Sequence, residues 1–191
     1  ERYLARENAK KEQPKPPQGQ IVTPDANIAD NEDFWKVDNV EYRNGIYTVD
    51  LAKALLKDGN VKTQQQWAEY SKKAKAQGGF YTADMPLYHA LFTSLFKQKD
   101  KPEAEQARAF IQKPMREKWL MTLTRIAYQP KGKDKIIHNF GTSKRYELEE
   151  NIIGPDRKIE SADSKTLNAL LGTDDINETN AVYNWINKTD T

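Results

Sequence analysis

The stretch WLMTLTRIAYQPKGKDKIIHNF, residues 119–140, decides how this chain is read. Trp119, Met121 and Leu123 alternate with Leu120, Thr122 and Thr124, and the alternation runs on to Ile126 and Tyr128. A period of two in β-branched and aromatic residues is the pattern of a half-buried strand. Pro130-Lys131-Gly132-Lys133-Asp134 supplies turn residues, and Ile136-Ile137-His138-Asn139-Phe140 reads as the return strand. A third strand is expected over 145–153, stopped by Gly154-Pro155-Asp156. Together these predict a three-stranded antiparallel meander.

Upstream of the meander a hairpin is expected. Val37, Val40 and Tyr42 lead into Arg43-Asn44-Gly45, and Ile46-Tyr47-Thr48-Val49 leads away. Asn-Gly between β-prone segments is a strong hairpin signal, because a type I′ turn needs positive φ at both central residues. Helices fill the interval. A short one is expected near 50–57, ended by Asp58-Gly59. Thr63 and Gln66 have capping-box spacing and open a second, which Gly78-Gly79 stops. Asp84 caps a third over 85–96, whose Tyr88, Leu91, Phe92 and Leu95 share one face, widened by Met85 and Phe96. A fourth runs from Lys101-Pro102 to about 113, with Ala107, Phe110 and Ile111 inward and Pro114 bending or restarting it. Two more close the chain, at 163–171 before Gly172 and at 175–187 behind Asp174 or Asp175.

The fold class is therefore α+β. An N-terminal hairpin and helices pack with a three-stranded antiparallel meander, and helices close the C-terminus. Residues 1–20 read as a flexible or extended tail. Residues 1–13 favour a helix by propensity but offer only Tyr3 and Leu4 as anchors, and the proline run from Pro14 to Pro17 favours extended backbone. Residues 21–118 read as the hairpin and mainly helical basic region, and 119–191 as the meander with its helices. Residues 21–191 also suit a single domain.

With 191 residues, 37% hydrophobic and 30% charged, the chain is more polar than an average domain, yet its 10% aromatic content argues against wholesale disorder. No run approaches the roughly 18 apolar residues of a membrane-spanning helix. The absence of cysteine excludes disulfides and thiolate metal sites and leaves the compartment open, with a slight lean toward the cell interior. Chain numbering opens at Glu1, so a segment preceding it is not visible. Asn177-Glu178-Thr179 and Asn187-Lys188-Thr189 match the glycosylation pattern, which also arises by chance.

The net charge of +2 conceals strong segregation. Residues 42–145 hold twenty basic and nine acidic groups, a surplus of +11, whereas 21–41 carry −5 and 146–191 carry −6. Lys72, Lys73 and Lys75 end the second helix, Lys97, Lys99 and Lys101 follow the third, and Lys131, Lys133 and Lys135 tip the meander hairpin beside Lys144 and Arg145. Such a surface suits phosphates, with Trp119, Tyr128 and Tyr146 near enough in sequence to stack on bases. The cations are mostly lysine, however, and base readout favours arginine.

Motifs for catalysis are scarce. His138 is the better of two histidines as a catalytic candidate, with Asn139, Thr142, Ser143 and Lys144 close by, whereas His89 shares a helix face with Met85, Phe92 and Phe96 and reads as packed core. Gly-x-Ser-x-Gly, P-loop and dinucleotide fingerprints are absent, and no histidine pair suggests zinc, so neither cofactor nor metal is expected. Gly141-Thr142-Ser143-Lys144-Arg145 reads as a solvated loop before a phosphate cradle. Glu147, Glu149, Glu150, Asp156, Glu160 and Asp163 read as a soluble strand edge before an acid/base pair. The leading expectation is a non-enzymatic binding module whose basic surface engages nucleic acid or an acidic protein. A self-associating assembly subunit and a hydrolase-like enzyme using His138 are the alternatives.

Overall fold

The computed structural model describes residues 5–8, 27–54, 62–117, 120–129, 131–141, 146–149 and 164–188, the segments 5–8 and 146–149 as backbone alone. The fold is α+β, with strands gathered in two antiparallel sheets. In chain order the elements are β1 (Ala5–Asn8), β2 (Ile28–Asp30), β3 (Phe34–Tyr42), β4 (Gly45–Ala52), α1 (Gln64–Ala76), α2 (Met85–Lys97), α3 (Pro102–Glu117), β5 (Arg125–Ala127), β6 (Lys135–His138), β7 (Tyr146–Glu149), α4 (Ser164–Leu171) and α5 (Ile176–Asn187).

The first sheet has the order β1-β4-β3-β2, the second β5-β6-β7. β3 and β4 form the expected hairpin, but its turn is displaced by one residue. Tyr42 pairs with Gly45, leaving Arg43-Asn44 as the loop, and Arg43 takes φ 55. Gly45 sits in the strand, where a Cβ would fall 2.7 Å from the ring of Tyr47. A side chain there would make the half-buried Tyr47 ring turn aside. β4 also runs through Asp50, Leu51 and Ala52, where a helix is expected; Leu51 and Ala52 pair with Trp35 and Phe34, and ladder bonds with burial outweigh helix propensity. The remainder of that expected helix lies largely outside the described residues. Ala5–Asn8, from the segment expected as a tail, pair antiparallel with β4.

α2 packs on this sheet. Val37, Val40, Val49 and Leu51 meet Leu87, Leu91, Phe92 and Leu95, and Ala104, Ala107 and Ile111 of α3 with Val182, Trp185 and Ile186 of α5 complete the same core. α3 continues past Pro114 as one helix. Its side chains at positions 108, 112 and 116 lie four apart on one stripe and serve the open carbonyls at the end of α5. Arg108 donates to the Ile186 and Lys188 carbonyls, Gln112 to Lys188 at 2.6 Å and Arg116 to Asn187 at 2.8 Å. A helix C-terminus leaves such carbonyls unpaired, so this stripe locks α3 to α5. Arg108 is fully buried in doing so and is held by Glu105 at 2.7 Å.

The meander forms, but its first strand is shorter than the alternation predicts. Among the described residues of that stretch, Arg125–Ala127 pair with β6, while Leu120–Thr124 are irregular. Their carbonyls are engaged elsewhere, since Gln64 at the start of α1 donates to Thr122 and Thr124, while Leu123 bonds Ala83 and Phe140 through its backbone. A small second core of Trp67, Ala68 and Leu123 forms beneath, and Ile136 with Ala169 makes a third.

Candidate functional site

The two sheets, α2, α4 and the start of α5 meet around a cleft of about 440 Å³. Its floor and walls include both histidines. Residues 39–43 of the β3–β4 hairpin form one side, α2 from Pro86 to Lys97 the base, and His138 with Asn168 to Thr173 the other side.

Backbone strain concentrates here. Among the described residues, the non-glycine positions with positive φ are Asn39, Arg43 and Asn139. The first two line the cleft, and Asn139 adjoins it through Tyr42. Asn39 lies where the β3–β4 register slips between Val37 and Val40, so a bulge aims it. Asp38 beside it is held by Thr48 at 2.5 Å and its carbonyl by Ser94 at 3.1 Å. Left-handed non-glycine residues cost free energy, and Asn39 and Arg43 both line this cleft.

Asp84 anchors the wall. This carboxylate is fully buried and caps α2, accepting from the Leu87 amide at 3.0 Å. Its other oxygen accepts the Tyr42 hydroxyl at 2.8 Å and the Arg43 guanidinium at 2.9 Å. The Asn139 amide donates to the Tyr42 oxygen at 3.3 Å. Burial first, and Asp84 second, push the Tyr42 phenol far above the ordinary tyrosine range, so it acts as a neutral donor. Sequence reasoning found Asp84 only as a cap; its part in joining hairpin, helix and β6 needs residues 42, 84 and 139 brought together.

His138 is buried and both ring nitrogens are engaged. Nε2 lies 2.8 Å from the Ala169 carbonyl, which can only accept, so Nε2 carries the proton. Nδ1 then accepts from the Thr124 hydroxyl at 2.9 Å, and Thr124 Oγ1 accepts the Met85 amide at 2.9 Å. The relay runs from the N-terminus of α2 through the second sheet to α4. Burial holds the ring below the usual histidine range, with the Ala169 bond opposing. Neither nitrogen has a lone pair left over for proton abstraction, so the ring suits a brace between elements better than a base.

His89 packs as its helix face predicts. It is 4% exposed and stacks on Tyr183, centroids 5.9 Å apart at 18°. Burial also lowers its proton affinity below that of an ordinary histidine. Nδ1, however, has no hydrogen-bond partner, and neither has the hydroxyl of Thr93 one helical turn on. Thr93 is 9% exposed, and both residues line the cleft. A helix-face pattern identifies His89 as buried but says nothing of whether its nitrogens are satisfied.

Lys97 lines the cleft, but the lysines of α1 and of the β5–β6 turn lie elsewhere. Lys72, Lys73 and Lys75 are exposed on the last turns of α1, with the Lys75 ammonium 4.8 Å from the Tyr81 ring centre. Lys131 and Lys133 are exposed in the β5–β6 turn, which the buried Asp134 shapes by accepting the Gln129 amide at 2.9 Å. Lys135 is half-buried in β6 opposite Glu149. The second sheet docks on α1 through Gln64 and Arg125, at the helix end about 12–16 Å from its lysines. Lys144 and Arg145 lie outside the described residues, as do Trp119, Thr142, Ser143, Glu150, Asp156, Glu160 and Asp163.

Among the described residues, no three histidine or carboxylate side chains converge as a metal ion would need, and no helix is long and apolar enough to cross a membrane. No protein-family model matches the chain, and neither does any curated protein or solved structure.

Proposed function

We propose that this protein is a non-enzymatic binding module whose cleft between the two sheets takes a small ligand. The observation that carries the reading is a cleft of about 440 Å³ walled by His89 and Thr93, two buried residues whose Nδ1 and Oγ1 have no protein hydrogen-bond partner. Buried polar groups are nearly always bonded, and leaving one unmet costs ~1–3 kcal/mol. That volume is within the range of small-molecule pockets. The strained residues Asn39 and Arg43 support it further, as does a rigid wall built on Asp84. The two engaged nitrogens of His138 favour binding over hydrolysis.

A small-molecule library followed by NMR tests this. A ligand of the cleft shifts the His89 ring and Thr93 methyl signals. At one hundred times its Kd it stabilises the fold by ~2.7 kcal/mol. Replacing Ala90 in the cleft wall with Trp should abolish the shifts while the fold persists. Hits that all map away from α2 would refute the reading.

A second reading keeps the basic surface, engaging nucleic acid or an acidic protein. The exposure of Lys72, Lys73, Lys131 and Lys133 favours it. Binding to single- or double-stranded nucleic acid should then weaken steeply with salt, because each neutralised phosphate releases counterions. Reversing those four charges should abolish it; no binding at low salt eliminates this reading.

A further inference from the structure

We infer that Asn44, at the tip of the β3–β4 hairpin, is a site of spontaneous deamidation whose rate is set by the Asp84 anchor beneath it. Asn44 precedes Gly45, and no other asparagine in the chain precedes a glycine. The reaction brings the main-chain nitrogen of the following residue onto the asparagine side chain. A Cβ on that residue obstructs the approach, and glycine has none. Asn44 is exposed, and among the described residues no group bonds its side-chain amide. The carboxamide is therefore free to turn toward its own main chain, and water reaches it.

The chemistry consumes only water. The Gly45 nitrogen attacks Asn44 Cγ, a Cγ–N bond forms, and the Cγ–Nδ2 bond breaks. The proton from the Gly45 nitrogen departs with the leaving ammonia, relayed by hydroxide. Water then opens the five-membered succinimide at either of its two carbonyl carbons, breaking the bond from that carbon to the Gly45 nitrogen. Opening at Cγ's neighbour across the ring, the main-chain carbonyl, gives isoaspartate; opening at Cγ gives aspartate. One water is taken up and one ammonia released, with nothing oxidised or reduced.

The closed turn holds this back. Tyr42 pairs with Gly45 across the loop, and the Tyr47 ring fills the space where a Gly45 Cβ would lie. The residues before Asn44 are tied from below, the Tyr42 hydroxyl donating to Asp84 at 2.8 Å and the Arg43 guanidinium at 2.9 Å. Attack waits for the tip to open, a local event that costs less than global unfolding. The rate therefore reports how often the tip leaves its anchor. Both products also alter the cleft edge, because each adds a carboxylate next to the cleft-lining Arg43. Isoaspartate further lengthens the main chain of a two-residue loop by one carbon, so Tyr42 and Gly45 no longer close it in the same register.

Ageing the full chain at pH 8 and 37 °C, followed by digestion and mass spectrometry, tests the site. Asn44 should gain the mass of an amide-to-acid exchange before any other asparagine, and an isoaspartyl methyltransferase should label the same peptide. The aged chain should unfold at a lower urea midpoint than the fresh one. Asn44 is not among the positive-φ residues, so Asn44→Ser adds no backbone strain and should abolish both the labelling at the tip and the shift in midpoint. Asp84→Asn should hasten the reaction severalfold, and Tyr42→Phe, which keeps the ring and loses one of the two ties, gives the same reading if the first variant does not fold. Earlier reaction at another asparagine overturns the site. A rate unchanged in the folded variants, or no faster in guanidinium chloride than in the folded chain, overturns the role of the anchor. An aged, labelled chain with an unshifted midpoint overturns the effect on the hairpin.

Discussion

Replacing Asp84 with Ala removes three acceptor contacts from a carboxylate with no exposure. Loss of the α2 cap costs about 1 kcal/mol. The Tyr42 hydroxyl loses its acceptor in a buried setting, worth about 1–3 kcal/mol. The Arg43 side chain is 22% exposed and partly rehydrates, so its contribution is held to about 1 kcal/mol, well under the cost of breaking a fully buried pair. The total is about 4 kcal/mol from a stability that for most domains is about 5–15 kcal/mol. For a chain of this size that lowers Tm by about 8–16 °C. Asp84→Asn retains an acceptor oxygen and should cost about half as much. Urea unfolding followed by circular dichroism measures both, and a double-mutant cycle with Tyr42→Phe should give a coupling above 1 kcal/mol. A loss below 1 kcal/mol for Asp84→Ala, or no coupling to Tyr42, would refute the claim that this network holds hairpin and helix together.

Thr124→Val cuts the relay to His138 and strands the Met85 amide, so it should cost about 1–3 kcal/mol in the same assay and increase solvent exchange at the Met85 amide. Both histidines bind protons less readily folded than unfolded. Stability is therefore complete above the unfolded value near pH 6.5 and falls as pH drops through it toward the lower native values. Urea midpoints at pH 7.5, 6.5 and 5.5 should decline in that order, and a rise below pH 6.5 contradicts the burial argument. Gly141→Ala meets two obstacles, φ +73 and a Cβ 2.6 Å from that of Ala68, and should cost about 2–4 kcal/mol by thermal unfolding; a neutral result would place Gly141 differently.

Local chemistry was legible in the residues themselves. Thr63 and Gln66 form the capping box their spacing predicts, Asp84 and Asp175 cap α2 and α5, and Gly172 ends α4 at φ +77. These features act within four residues, so a linear pattern carries them. The apolar face of α2 was equally plain, because burial repeats at helical period. Patterns misjudged length where a distant partner intervenes. The alternation from Trp119 predicts a long strand, but Gln64 takes the carbonyls of Thr122 and Thr124 and the ladder starts only at Arg125. Pro114 costs α3 a hydrogen bond that contacts to α5 outweigh.

Sequence alone determined the class of fold, the caps, the hairpin and meander, and the segregation of charge. Tertiary structure decided the cleft and its wall. Asp84 is 42 positions from Tyr42, His138 is 31 from Ala169, and His89 faces the cleft only because the hairpin and α4 close around α2. Whether a buried nitrogen finds a partner depends on which distant groups arrive beside it. Periodicity reports that a residue is buried; only the assembled chain determines that His138 is satisfied twice and that His89 Nδ1 is not.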